Sequence, residues 1–215
     1  MDVPRFSRRE LAFIIGVPAA WGVLLLFHPL GETFYTLIDD NITAWLAVHI
    51  GMAIFIPLFA GALYLLLRGV ESPAATLGRI GLWVFAIFYA AFEITLGIGT
   101  GILTNEVVAL PEADRAVGGE LVESYAESSI ITTFTIIGSI GLAVAVFAAA
   151  LALRKAYHLS WAAPTLLILA VPGIAIHEPP AGPIGLAFFI GAVLLLVRDR
   201  GFASAPVAAP APKPV

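Results

Sequence analysis

Apolar residues in this chain run in long unbroken blocks, not at the spacing of an amphipathic surface helix. Blocks of this length read as helices that cross a bilayer. Six are expected, at about 11–30, 43–67, 79–104, 129–153, 161–177 and 183–197. The predicted fold is therefore all-α: a polytopic integral membrane bundle of six transmembrane helices over residues 1–200. Pro57 predicts a kink in the second span, and Pro164 and Pro172 interrupt the fifth. The first block is long for the apolar part of a secretory signal and lacks a small-x-small cleavage site, so it reads as a retained span.

The polar stretches between the blocks are short. Residues 31–42 read as an irregular connection carrying Glu32, Asp39 and Asp40. The longest connection, 105–128, is acidic. Pro111 opens a helix there, with Glu112 and Asp114 at its positive end, and Gly118-Gly119 is expected to break it. Residues 201–215 are rich in proline and alanine and read as a disordered cytoplasmic tail.

Charge then orients the bundle. Arg5, Arg8 and Arg9 precede the first span; Arg68 and Arg79 flank the connection between the second and third. Arg154 and Lys155 follow the fourth, and Arg198 and Arg200 follow the sixth. The alternate connections hold only Arg115. By the positive-inside rule both termini are cytoplasmic and the protein is a multi-pass protein of the cell membrane, in character a small bacterial one. Tyr35, Trp45, Tyr64, Tyr125, Tyr157 and Trp161 lie near span ends, where aromatic belts form.

Composition agrees with this and narrows the chemistry. The chain is 60% hydrophobic and 12% charged, about half the charged share of a soluble domain. It has no cysteine, which excludes disulfides, iron–sulfur clusters, thiolate metal sites and covalently attached haem. There is no basic patch to hold nucleic acid. The expected surroundings are the lipid bilayer and a homo-oligomer or larger membrane complex.

The chemistry that remains centres on Glu93, a carboxylate deep inside the third block, since an ionisable group at that depth faces a protein interior, a partner or a water-filled cavity. At the helical rise, His49 lies roughly 9 Å and Glu93 roughly 15 Å below the outer surface. His28 and His177 sit near that surface, with Glu178 beside His177. By helical spacing Trp45, His49, Met52 and Ile56 share one face, and Tyr89, Glu93, Gly97 and Thr100 share another. The leading reading is a pocket in the outer half of the bundle in which His28, His49, Glu93 and His177 bind Zn, Fe or Cu, with Tyr89, Thr135 and Glu178 in support.

Three alternatives stand beside it. His49 with His177 or His28 makes a b-type haem ligand pair for an electron-transfer subunit. An intramembrane glutamate among proline-broken spans suits a proton- or ion-coupled carrier of small solutes. A structural subunit needs no chemistry at all. No serine, cysteine or aspartate constellation points to nucleophilic catalysis, and a metal hydrolase would have only Glu93 as a deep base. The blander roles are concrete: His28 and His177 as histidines tied to backbone, Glu93 as a hydrogen-bonded link to Tyr89 or a threonine of the fourth span, and Gly97–Gly101 as a packing surface.

Overall fold

The computed structural model describes residues 6–31 and 33–200, and no strand occurs among them. The chain forms α1 (Arg8–Leu25), α2 (Phe34–Asp39), α3 (Ile42–Leu66) and α4 (Pro73–Phe92). A π-helical segment, Glu93–Gly99, leads directly into α5 (Thr100–Val108). Then come α6 (Glu112–Ala126), α7 (Ser129–Tyr157), α8 (Ala162–Ile176) and α9 (Ala181–Arg200). The expected disordered tail, 201–215, lies outside the described residues, as do Arg5 and Glu32.

Local chemistry sets the helix starts. Ser7 accepts from the Glu10 backbone N–H while the Glu10 carboxylate accepts from the Ser7 N–H, a reciprocal cap that opens α1. Ser72 caps α4 through the Ala75 N–H, with Pro73 in the first turn.

The long helices close a ring. α1 packs on α3, α3 on α4, α4 on α7, α7 on α8, α8 on α9, and α9 returns to α1. Aromatic rings fill its middle. Phe59 of α3 meets Trp21 of α1 at 5.6 Å, Phe189 of α9 at 4.7 Å and Phe85 of α4 at 6.3 Å between ring centroids. All four are fully buried. Many large apolar side chains, Trp83 and Ile140 among them, face outward instead. An apolar interior with an apolar exterior is the mark of a helical membrane protein.

Among the described residues, four helical stretches are long and apolar enough to cross a membrane: Ile42–Leu66, Pro73–Val108, Glu112–Tyr157 and Ala181–Asp199. The other two expected spans fall short for separate reasons. α1 spends its first three residues on Arg8, Arg9 and Glu10, and α8 has 15 residues, about 22 Å of helix.

Several expectations change. The first helix stops at Leu25 rather than near residue 30. The N–H groups of Leu26, Phe27 and His28 fold back onto carbonyls three residues earlier, and Pro29 cannot continue the helix. Residues 31–42 contain α2. α3 runs on through Pro57, the position where a kink is expected. Gly118-Gly119 does not break α6, because those glycines form the face on which the helix packs. A Cβ on Gly118 would lie 2.6 Å from Val107, and one on Gly119 would lie 2.9 Å from Tyr35. Nor is Trp45 a belt residue: it is buried beside His49.

α2, α5 and α6 pack together over one end of the ring. The Tyr35 N–H donates to Glu123 at 2.7 Å, tying α2 to α6. The candidate site lies beneath this cap.

Candidate metal centre

The π-segment positions the carboxylate. Its wider turn puts Glu93 and Gly97 on the inner wall, both buried, opposite α3. Widening a turn frees backbone carbonyls, and inside a membrane each must find a new donor. Here four carbonyls in and beside the segment take side-chain donors. The Trp45 indole N–H donates to Gly97 O at 2.5 Å, and Tyr125 Oη donates to Thr95 O at 3.0 Å. Thr95 Oγ1 donates to Ala91 O at 2.7 Å, and Thr100 Oγ1 donates to Leu96 O. Gly97 has no room for a side chain, since a Cβ there would overlap Cδ2 and Cγ of His49.

Three histidines reach the same point from three elements. His28 comes from the turn after α1, His49 from the inner stripe of α3, and His177 from the end of α8. All three are buried, as is Glu93, which is 1% exposed. One ring nitrogen from each histidine lies within 4.8 Å of the other two. Glu93 Oε2 is 3.8 Å from His49 Nε2, and Glu93 Oε1 is 4.0 Å from His177 Nδ1.

The hydrogen bonds fix which nitrogens remain for a ligand. A carbonyl oxygen only accepts. His28 Nδ1, 2.7 Å from Pro29 O, and His49 Nδ1, 2.8 Å from Trp45 O, therefore both carry hydrogen. Tyr89 Oη donates to Ala175 O at 2.6 Å, so its oxygen accepts from His177 Nδ1 at 3.1 Å. In all three imidazoles the Nδ1 proton is held by protein, and Nε2 keeps a lone pair. Metal-binding histidines are held the same way, with the second nitrogen fixed by a backbone or side-chain acceptor. Two buried atoms here have no hydrogen-bond partner among the described residues: His28 Nε2 and Glu93 Oε1. Leaving such a group unpaired costs about 1–3 kcal/mol.

Backbone at His177 is also unusual. It caps α8 in the left-handed region, φ 51°, with its N–H bonded to Gly173 O at 2.9 Å. A non-glycine residue held there costs on the order of 1 kcal/mol and marks a position fixed by its surroundings. The geometry swings the imidazole inward against Tyr89 and Phe92, with centroids 6.3 Å away in each case.

Three neutral imidazoles and one carboxylate fit a borderline divalent cation. Two nitrogens on one such ion are at most about 4.2 Å apart, given bonds near 2.1 Å. Glu93 Oε2 and His49 Nε2, 3.8 Å apart, already satisfy that limit; the widest histidine pair closes by about half an ångström. A porphyrin does not fit beside His28. It has to lie between its two axial imidazoles, whereas His28 meets His49 edge to face at 5.0 Å and His177 at 5.4 Å, leaving no slot in either pair that includes His28.

Of the supporting residues, Tyr89 belongs to the site through His177. Thr135 donates to its own helix at Ile131 O, 3.0 Å, not to Glu93. Glu178 is exposed on the turn after His177. His158 lies on another turn, at the end of α7, also left-handed. Sequence reasoning missed Trp45 as part of the site, although its place one turn before His49 was the available signal. Its ring lies 4.1 Å from the His49 ring, and it bridges α3 to the π-segment.

Comparison with protein-family models, with curated proteins and with solved structures gives no match for this chain.

Proposed function

We propose that this is a six-span membrane protein, both termini cytoplasmic, that binds one Zn, Fe or Cu ion in the outer half of its bundle. His28, His49, His177 and Glu93 are the ligands. One observation carries the reading: three buried imidazoles from three separate elements, each with Nδ1 hydrogen-bonded to protein, bring one ring nitrogen apiece within 4.8 Å of the other two, beside a carboxylate oxygen with no hydrogen-bond partner among the described residues. Interior packing alone does not need three matched tautomers. The closed six-helix ring and the alternation of basic connections support the topology, with α1 and α8 crossing beside longer neighbours. Tyr89 positions His177, and Trp45 positions His49.

The test uses full-length protein in mild detergent, never exposed to chelator, read by elemental analysis and absorption together. The expected result is about one metal per chain without a Soret band. His49→Ala and Glu93→Gln should each weaken binding by at least about 100-fold, since each removes a direct ligand. They should also abolish the rise in melting temperature that metal gives the wild type. If stripped protein reloaded with Zn, Fe or Cu retains none of them, the metal reading is wrong. If it binds metal equally well in both variants, the ligand set is wrong.

A further inference from the structure

We propose that the charged end of α7 holds the phosphate of an anionic phospholipid. Along the outward face of α7, Ile140, Phe147 and Leu151 are exposed and apolar. Within the next turn the surface becomes Arg154 and Lys155, and the helix ends at His158. The edge of the apolar zone therefore falls between Leu151 and Lys155. An open cleft of about 470 Å³ lies there, lined by Leu151, Arg154, Lys155, His158 and Leu159, with no carboxylate among them.

The cleft is prepared for an anion. The Arg154 guanidinium lies over the Trp161 ring, with Cζ 4.2 Å from the centroid. Stacking holds a planar donor group in one orientation and leaves its edges for an oxyanion. Arg154 Nε is buried and has no hydrogen-bond partner among the described residues. The left-handed turn at His158 returns the N–H groups of His158 and Leu159 to Arg154 O. That covers a carbonyl at the negative end of the helix, which would otherwise repel an anion. Trp161, 53% exposed, stands where indoles favour the headgroup layer. Two arginines at other helix ends are engaged within the protein: Arg79 donates to Leu67 O and Val70 O, and Arg198 pairs with Asp199. A phosphate on Arg154 and Lys155, with its glycerol and acyl chains over Leu151, satisfies both halves of this surface. The apolar half is what favours a lipid over free phosphate.

The test is native mass spectrometry and Trp fluorescence titration on the full chain in neutral detergent. The probes are dioleoylphosphatidylglycerol, dioleoylphosphatidylcholine and inorganic phosphate. Phosphatidylglycerol should bind measurably tighter than either of the other two. Lys155→Gln, at an exposed side chain whose loss leaves the stacked pair intact, should weaken it about fivefold, the value of one interfacial charge. Arg154→Gln with Lys155→Gln should weaken it about 25-fold. Arg8→Gln with Arg9→Gln removes the same charge at exposed positions elsewhere and should change nothing. Equal loss in that control would reduce the site to diffuse attraction. Phosphatidylcholine, which carries the same phosphate beside a cation, binding as tightly as phosphatidylglycerol would overturn the assignment to an anionic lipid, and inorganic phosphate binding as tightly would overturn the lipid one.

Discussion

Glycine does two different jobs in two parts of this bundle. At the seam between α4 and α7, Gly81 and Gly141 let backbone meet backbone. A Cβ on Gly81 would lie 2.6 Å from Ala145 N and 2.9 Å from Gly141 O, and one on Gly141 would lie 2.6 Å from Phe85 N. At the pocket, a Cβ on Gly97 would strike the His49 imidazole instead. The seam is close packing of small residues, the main source of helix association where lipid removes the hydrophobic drive. The pocket uses the same missing side chain to admit a functional ring. Small residues at a helix crossing therefore do not reveal their purpose until the group facing them is known.

Substitutions can separate the two jobs. Gly81→Leu should do the most damage, costing about 3 kcal/mol or more because backbone cannot retreat as a side chain can. Thermal unfolding in detergent should show it with metal present or absent, and an unchanged melting temperature would mean the seam is looser than described. Gly97→Ala should act in the opposite sense. Metal affinity should fall about 10–100-fold, the usual result of disturbing a ligand's support, while the stripped protein melts much closer to wild type. A loss of stability equal to that of Gly81→Leu would make Gly97 another seam residue.

Trp45→Phe keeps the ring beside His49 but strands Gly97 O. About 1–3 kcal/mol of stability should go, with a smaller loss of metal affinity than Gly97→Ala causes. Calorimetric titration and melting on one sample would rank the two.

The mildest change is remote from both regions. Arg68 and the Ser7 N–H hold the Glu10 carboxyl down from 4.5 to about 2. A depressed carboxyl lends stability above its ordinary range and loses it as pH falls toward the folded value. Glu10→Gln should therefore lower the melting temperature slightly at pH 7 and progressively less from about 4.5 to 2. The effect is small because the pair is solvated. A gap independent of pH would remove Glu10 ionisation as its cause.

Much of the architecture was legible from hydropathy, because a bilayer demands long apolar helices and little else. The buried state of the two polar residues was legible too: His49 and Glu93 fall inside the long apolar blocks, and both are buried. Facing was legible as well, since Trp45, His49, Met52 and Ile56 are all buried, as are Tyr89, Glu93, Gly97 and Thr100. What could not be read was the π-segment, because the spacing rule assumes 3.6 residues per turn. α6 survives its two glycines because Val107 and Tyr35 pack into them, a tertiary effect that no local propensity contains. Trp45 was assigned to a belt by its place near a helix end, although the cap formed by α2 and α6 converts that end into interior.

The π-segment also acts as a phase shifter. Each residue turns a helix by about 100°, so the wider turns at 93–99 set the angular offset between everything before them and everything after. Deleting one residue there would leave the span equally apolar and still long enough to cross. It would also rotate α4 against α5 by about a quarter turn. Either the α4–α7 seam or the α5–α6 cap would then face the wrong neighbour. The same few residues that aim the carboxylate also keep the two halves of this span in register with different partners.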